Sequence, residues 1–144
     1  MALQDLSFPR SLTIAGSLPK PLVLVVDDDE DNLLLLEYCL ELFNCRFVGN
    51  SDGKNLVALV QTLQPDLILL DIVLPQQSGI ELMHQLRESS LTRSIPVVAV
   101  TALARLEDRL RLLAEGFDDY LSKPFLLDDL QSTVERYCCQ PMRR

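Results

Sequence analysis

Runs of consecutive apolar residues alternate along the chain with segments in which apolar residues recur every three or four positions. The apolar runs have strand length and suit strands buried on both faces of a parallel sheet. They predict strands at 22–26, 46–49, 67–71, 95–100 and 119–122, and helices at about 32–43, 56–63, 80–86, 103–113 and 127–137. Strands that alternate with helices predict an α/β fold, with a doubly wound five-stranded parallel sheet between two layers of helices, five helices in all.

The first predicted helix has an unusual apolar surface because residues 33–36 are four consecutive leucines. At about 100° per residue they sweep about 300° around the helix axis, so they cannot all face one sheet. Either this helix is covered on two sides, or it shows an apolar stripe to solvent or to a partner. The helix is therefore a candidate docking or dimer surface, with ordinary core packing as the alternative.

Polar side chains stand where four of the predicted strands end. Asp27 and Asp28 follow the first strand, Asp71 ends the third, Thr101 ends the fourth, and Lys123 follows the fifth. The carboxyl ends of parallel strands meet at one edge of the sheet, which is where open α/β sheets bind ligands. Any one of these residues could be a helix cap or a solvated side chain, but together they predict a site.

Three carboxylates on one edge repel, and one lysine cannot balance them. A unit-charge pair about 4 Å apart costs about 4 kcal/mol at an effective dielectric of 20. Carboxylates, a carbonyl and waters are the ligands that Mg²⁺ prefers. Phosphoryl transfer is the economical chemistry for such a site, since it depends on charge neutralisation and positioning. A carboxylate can be the acceptor, with the metal, the Thr hydroxyl and the Lys ammonium each taking one phosphoryl oxygen.

Composition and charge exclude several other classes. The formal charge of −8 leaves no basic footprint for direct nucleic-acid binding. The four cysteines form no C-x-x-C pair and His84 is the sole histidine, so a zinc site is not expected. No apolar run approaches the roughly 20 residues of a membrane span, and residues 1–20 lack a signal-peptide core, which predicts a cytoplasmic protein with no membrane association.

Four separated motifs carry a resemblance to a known family. They are Asp27-Asp28, Asp71 with Pro75 and Gly79, Thr101-Ala102, and Lys123-Pro124-Phe125. In order and spacing they resemble the receiver domain of two-component response regulators, over about residues 21–139. The resemblance implies a flavodoxin-like three-layer sandwich and a phosphorelay signalling switch. Such a switch is not an enzyme, and its own chemistry is limited to self-phosphotransfer and slow autodephosphorylation.

The resemblance also implies roles for the residues at the sheet edge. Asp71 would be the phosphoacceptor that forms the aspartyl phosphate. Asp28, Asp71 and the backbone carbonyl of Val73 would bind Mg²⁺, with Asp27 acting through water.

The remaining roles concern the phosphoryl group and the response to it. Thr101 and Lys123 would bind the phosphoryl group. Tyr120 matches an aromatic switch position, and it would rotate into the space that Thr101 vacates. That movement would change the surface formed by the fourth helix, the fifth strand and the fifth helix.

Two apolar positions depart from polar choices common in the family. Val73 lies two residues after Asp71, and Leu103 lies two residues after Thr101. Such side chains at the mouth of the site would shield an acyl phosphate from water without guiding water to it. We therefore expect a phosphorylated state that lasts longer than in fast-cycling relatives.

The expected organisation is an N-terminal extension at 1–20, a receiver domain at 21–139 and a tail at 140–144. Few residues follow the last helix, which predicts a stand-alone receiver or a receiver cut from a longer chain. Its expected partners are a sensor histidine kinase or histidine phosphotransfer protein and a downstream protein target, with a homodimer as a further possibility.

Three alternatives stay open. A phosphatase of the haloacid dehalogenase type also has acids after its first strand, but its Asp-x-Asp-x-Thr/Val motif would find Asp31 at the last position. A flavin carrier of similar architecture needs hydroxyls and Gly where this chain has acids that would repel a phosphate. The third alternative is a receiver that works as a binding module without phosphate.

Overall fold

The computed structural model describes residues 19–102 and 105–138. Five strands alternate with five helices within that part of the chain. The strands are β1 (Leu22–Val26), β2 (Arg46–Asn50), β3 (Leu67–Asp71), β4 (Val97–Thr101) and β5 (Asp119–Ser122). The helices are α1 (Glu30–Leu42), α2 (Leu56–Leu63), α3 (Gly79–Glu88), α4 (Leu106–Ala114) and α5 (Leu127–Cys138).

The strands form one parallel sheet in the order β2-β1-β3-β4-β5. Alternate residues of each central strand enter two separate apolar clusters, as the two-residue period of a strand requires. One cluster lies between the sheet and α2, α3 and α4, and the other lies between the sheet and α1 and α5. The predicted doubly wound, three-layer α/β fold is thereby confirmed.

Of the element boundaries that differ from the sequence prediction, two have reasons that are visible in the backbone. Helix α1 begins at Glu30 because Asp29 caps it, with its Oδ1 accepting the backbone N–H of Asp31 at 2.9 Å. Strand β4 begins at Val97, two residues later than predicted. Pro96 has no N–H to donate to a ladder, and its carbonyl accepts from the Ile68 N–H at 3.0 Å.

Helix α4 buries a different residue from those that the sequence pattern indicates. The leucines at steps of three and four include Leu106, Leu110 and Leu113, and all three are exposed. Leu112 is buried instead and packs into the cluster with α2 and α3. Leu103, which belongs to the same pattern, lies outside the described residues.

The four leucines of α1 divide between the core and solvent. Leu36 is buried and Leu33 is half-buried against the core, whereas Leu34 and Leu35 are exposed. Of the two interpretations of this helix, the structure supports the one with an apolar stripe facing outward.

None of the helices in residues 19–102 and 105–138 has both the length and the apolar character that a membrane span needs.

Gly79 fixes the approach of α3 to the end of β3. The Gly79 N–H donates to the Ile72 carbonyl at 2.9 Å, and Ser78 caps the helix by accepting from the Ile80 N–H at 3.0 Å. A Cβ on Gly79 would lie 2.3 Å from the Asp71 carbonyl oxygen and 2.9 Å from the Ile72 Cα. Only glycine permits this contact, because backbone atoms cannot move aside as a flexible side chain can.

We therefore expect Gly79→Ala to destabilise the protein by about 1–3 kcal/mol or more, as overpacked substitutions do. Urea unfolding of the purified variant measures this loss. Gly49→Ala is the matched control, since a Cβ there would meet only side-chain atoms of Phe47 and Leu33. Equal stabilities for the two variants would contradict the role assigned to Gly79.

Candidate functional site

Three carboxylates meet at the C-terminal edge of the sheet. Val26 of β1 pairs with Leu70 of β3, so the residues that follow them, Asp27 and Asp71, stand side by side. Their exposed fractions are only 2% and 5%, whereas Asp28 is exposed at the start of the loop. Carboxylate oxygens of Asp27, Asp28 and Asp71 all lie within 4.8 Å of one another.

Hydrogen bonds from neighbouring residues hold the two buried carboxylates. Asp27 accepts from the Asp29 backbone N–H at 2.9 Å and from the Asn32 side-chain amide at 3.3 Å. Asp71 accepts from the Val73 backbone N–H at 3.0 Å through its Oδ1. These bonds fix the orientation of both carboxylates, and the loops after β1 and β3 form the opening of the site.

Lys123 joins the two acids. Its Nζ donates to the Asp71 Oδ2 at 2.9 Å and lies 3.1 Å from the Asp27 Oδ2. The backbone positions the side chain, because the Lys123 N–H donates to the Thr101 carbonyl at 2.8 Å. The peptide bond from Lys123 to Pro124 is cis. A residue 52 positions away from Asp71 thus supplies the only ammonium among the described residues that reaches it.

Burial and charge move the pKa values of the pair. Burial raises the pKa of Asp71 above its ordinary value, against the lowering effects of the Lys123 and Val73 hydrogen bonds. Burial alone would lower the pKa of Lys123, but its hydrogen bonds to Asp71 and Asp27 and their negative charges outweigh it and raise that pKa. Lys123 is therefore charged at neutral pH, whereas burial disfavours the ionised form of Asp71.

Thr101 and Tyr120 lie on the neighbouring strands. Asp71 pairs with Val100, so Thr101 extends one residue further toward the edge of the sheet, where it is buried. Tyr120 is half-buried on β5 and packs against the cluster that α2, α3 and α4 cover. The Arg109 guanidinium stands over its ring, 4.7 Å from the ring centre.

The structure brings together Asp27, Asp28, Asp71 and Lys123, as their places at the strand ends predict. It adds two residues that sequence reasoning missed. Asn32 donates to Asp27 from the first turn of α1, which its spacing from Asp27 could have suggested. Arg109 stacks on Tyr120 of β5 from helix α4, and no local sequence pattern predicts that contact.

The donor set fits a hard divalent cation. Three carboxylates face one ammonium, so the cluster keeps net negative charge even with Lys123 in contact. Close carboxylate oxygens with one exposed acid suit a partly hydrated Mg²⁺, which keeps several waters and takes one or two carboxylates. Cysteine and histidine are absent from the cluster, so softer metals have no preferred ligand here.

Comparisons with known proteins identify the family to which the chain is similar. The sequence matches the family described as the response regulator receiver domain over residues 23–135. The chain is 35% identical over 115 residues to the polar-differentiation response regulator DivK of Brucella anthropi, and the match covers 80% of this chain and 94% of that protein. It is 37% identical over 114 residues to the DNA-binding dual master transcriptional regulator RpaA of Synechocystis, covering 79% of this chain but 47% of RpaA.

A solved structure shows the same architecture. The receiver domain of the sensor histidine kinase PA1611 of Pseudomonas aeruginosa, whose crystal structure has a magnesium ion coordinated in the active-site cleft, superposes with a TM-score of 0.76. It is 30% identical, and the match covers 84% of this chain and 99% of that domain. The chain thus spans nearly the whole of DivK and of the PA1611 receiver domain, but about half of RpaA.

The fold and the acidic edge define a protein of two-component signalling. This chain belongs to the response regulator receiver domain family. Receiver domains bind Mg²⁺ at an acidic pocket and are signalling switches rather than classical enzymes. They take phosphoryl groups from histidine kinases or phosphotransfer proteins.

We expect Asp71→Asn to be more stable than the wild type at pH 7 without divalent cations. The folded pKa of Asp71 is raised, so its stabilising contribution is complete at low pH and is lost as pH rises through the folded pKa. The advantage of Asn should therefore shrink toward about pH 4, near the ordinary Asp pKa. Urea unfolding at several pH values in a chelator measures the difference.

Saturating Mg²⁺ should reduce the difference in unfolding free energy between Asp71→Asn and the wild type, since a ligand that binds only the folded wild type adds to its stability. The matched control is Asp128→Asn, which removes an exposed acid from the first turn of α5 and should slightly lower stability. A loss of stability in Asp71→Asn at pH 7 would contradict the unfavourable burial assigned to the ionised carboxylate.

Proposed function

We propose that this protein is a phosphorylation-dependent switch that accepts a phosphoryl group on Asp71. The observation that supports it best is the contact of one lysine with two buried acids at the rim of the sheet. A structural ion pair would not need a third carboxylate within 4.8 Å. A site that receives a dianionic group does need concentrated positive charge, from Lys123 and a cation, beside an acceptor.

In this proposal Asp71 is the acceptor because it is the buried acid at the centre of the sheet edge and faces both Lys123 and the other acids. One of its carboxylate oxygens forms the new bond to phosphorus as the donor's bond to phosphorus breaks. The donor is the phosphohistidine of a sensor histidine kinase or a histidine phosphotransfer protein. The leaving imidazole takes up a proton.

Asp28 and Asp71 would hold Mg²⁺ with the Val73 carbonyl, and Asp27 would contribute through water. When bound, the cation neutralises phosphoryl charge. Lys123 would turn from Asp27 and Asp71 toward a phosphoryl oxygen, and it stays charged because its pKa is raised. The Thr101 hydroxyl would take another oxygen.

The proposed response runs from Thr101 to Tyr120. A Thr101 hydroxyl drawn toward the phosphoryl group would leave space into which the Tyr120 ring can turn. That rotation would also break the Arg109 stack and alter the α4, β5 and α5 surface that meets a downstream protein target. Phosphate shifts the population because it binds the two arrangements with different affinity.

The domain boundaries belong to the same proposal. Residues 21–139 would form the receiver, with 1–20 as an extension and 140–144 as a tail; 1–18 and 139–144 lie outside the described residues. A receiver that acts in the cytoplasm as a binding surface for its target fits this arrangement. Its own chemistry would be limited to accepting the phosphoryl group and slowly losing it to water.

Phosphorylation is tested by incubating the wild type with Mg²⁺ and a small acyl phosphate donor, followed by intact mass measurement. We expect a gain of one phosphoryl group in the wild type, none in Asp71→Asn and none with a chelator. Asp128→Asn is the matched control and should gain one group. Rapid turnover of a phosphomonoester that is lost in Asp27→Asn but kept in Asp71→Asn would support the phosphatase alternative instead.

The lifetime of the phosphorylated state tests the role of Val73. Its side chain is 74% exposed at the mouth of the site, where it offers no group that could orient an attacking water. We expect Val73→Asn to shorten the half-life of the phosphorylated protein, followed by intact mass after donor removal. Leu91→Asn, an exposed apolar residue remote from the site, should leave it unchanged. A wild-type half-life of seconds would contradict the shielding proposed for Val73 and Leu103; Leu103 lies outside the described residues.

A further inference from the structure

Helix α1 presents an apolar row that no described residue covers. Leu34, Tyr38 and Leu42 follow one another at steps of four and so lie along one side of the helix, with Leu35 beside them. The exposed fractions of Leu34 and Tyr38 are 67% and 62%, and Leu35 and Leu42 are also exposed. We call these four residues the α1 row.

The surroundings of the α1 row are acidic. Together with Asp31, Glu37 and Glu41, residues of the row line a depression on the outer side of the helix. Helix α1 contains four acids and no Lys or Arg between residues 30 and 42. An occupant of this surface must therefore be apolar and must not add negative charge. A second copy docked through the same row would place acids against acids, which charge repulsion disfavours.

The described chain begins next to this surface. The Lys20 carbonyl accepts from the Arg46 Nε at 3.0 Å, and the Pro21 carbonyl accepts from the Arg46 N–H at 2.8 Å. Lys20 lines a second depression that also includes Glu37 and Glu41. Because these two glutamates line both depressions, the surface that Lys20 enters continues directly into the α1 row.

The residues that precede Pro19 have suitable chemistry and reach. Residues 1–18 contain one acid, Asp5, one base, Arg10, and several large apolar side chains, namely Leu3, Leu6, Phe8, Leu12, Ile14 and Leu18. The α1 row is about 12 Å long at 1.5 Å per residue, and 18 residues can span about 60 Å when extended. Attachment to the same chain also raises the effective concentration of the segment at the row.

We propose that residues 1–18 dock on the α1 row of their own chain, with Arg10 and Lys20 facing the acids of α1. Docking would bury the Tyr38 ring and the Leu34 side chain. The proposal does not depend on phosphorylation of Asp71.

The test uses the full chain, dilute, unphosphorylated and in a chelator. We expect nuclear Overhauser contacts between side chains of residues 1–18, such as Phe8 and Leu12, and the Tyr38 ring or Leu34 methyls. They should persist on dilution at monomer mass and in Asp71→Asn, so that failure of the proposed phosphorylation leaves this result intact. Contacts that appear only between differently labelled chains, with dimer mass, would overturn the proposal in favour of a second copy.

A matched pair of variants completes the test. Leu12→Asp should abolish these contacts and raise the accessibility of Tyr38 to a soluble paramagnetic agent, whereas Ser11→Asp adds the same charge without removing an apolar side chain and should retain most of them. Backbone spectra of residues 19–138 report whether each variant stays folded. A Tyr38 ring that is fully accessible in the wild type, or equally accessible in both variants, would overturn the proposal.

Discussion

The contact of Lys123 with Asp71 and Asp27 is the interaction on which the rest of this structure depends. Two nearly buried carboxylates on adjacent strands would be costly without a counter-ion, since removal of water weakens their solvation and strengthens their repulsion. One ammonium reduces that cost but leaves the third acid uncompensated. The pairing of β1 with β3, of β3 with β4 and of β4 with β5 holds these charged groups together, and Gly79 fixes the approach of α3 to the end of β3.

The same constraint explains which features could be predicted from sequence. Strand identity follows from continuous apolar runs, and the site follows from polar residues at the ends of those runs, because parallel strands all end at one edge. The positions of Asp71 and Lys123 were therefore predictable together even though they lie 52 residues apart. The sequence places Gly79 in a motif but does not show its role, because the 2.3 Å at which a Cβ would meet the Asp71 carbonyl oxygen depends on how α3 approaches β3.

Helix faces were less predictable than strands. In α4, leucine spacing pointed to Leu106, Leu110 and Leu113, yet the sheet contacts Leu112. A helix rich in leucine on several sides gives no unique buried face, so its leucine spacing alone does not decide which leucine meets the sheet. The four leucines at residues 33–36 of α1 show the same ambiguity, and the structure identifies Leu34 and Leu35 as the exposed pair. The Arg109 stack on Tyr120 joins two elements and leaves no local pattern.

The contacts that Lys123 makes in the unphosphorylated protein also limit how far phosphorylation can shift the proposed equilibrium between the two arrangements. A ligand shifts a two-state equilibrium only by its difference in affinity for the two states. Lys123 already binds two carboxylates. Its contact with a phosphoryl group would therefore favour the phosphorylated arrangement only by the difference in free energy between the new contact and those it replaces. In the proposed switch, the rest of the difference in affinity would come from the bound cation and from the movement that links Thr101 to Tyr120. Breaking the Arg109 stack would oppose that movement, so the strength of this contact would set part of the threshold for switching.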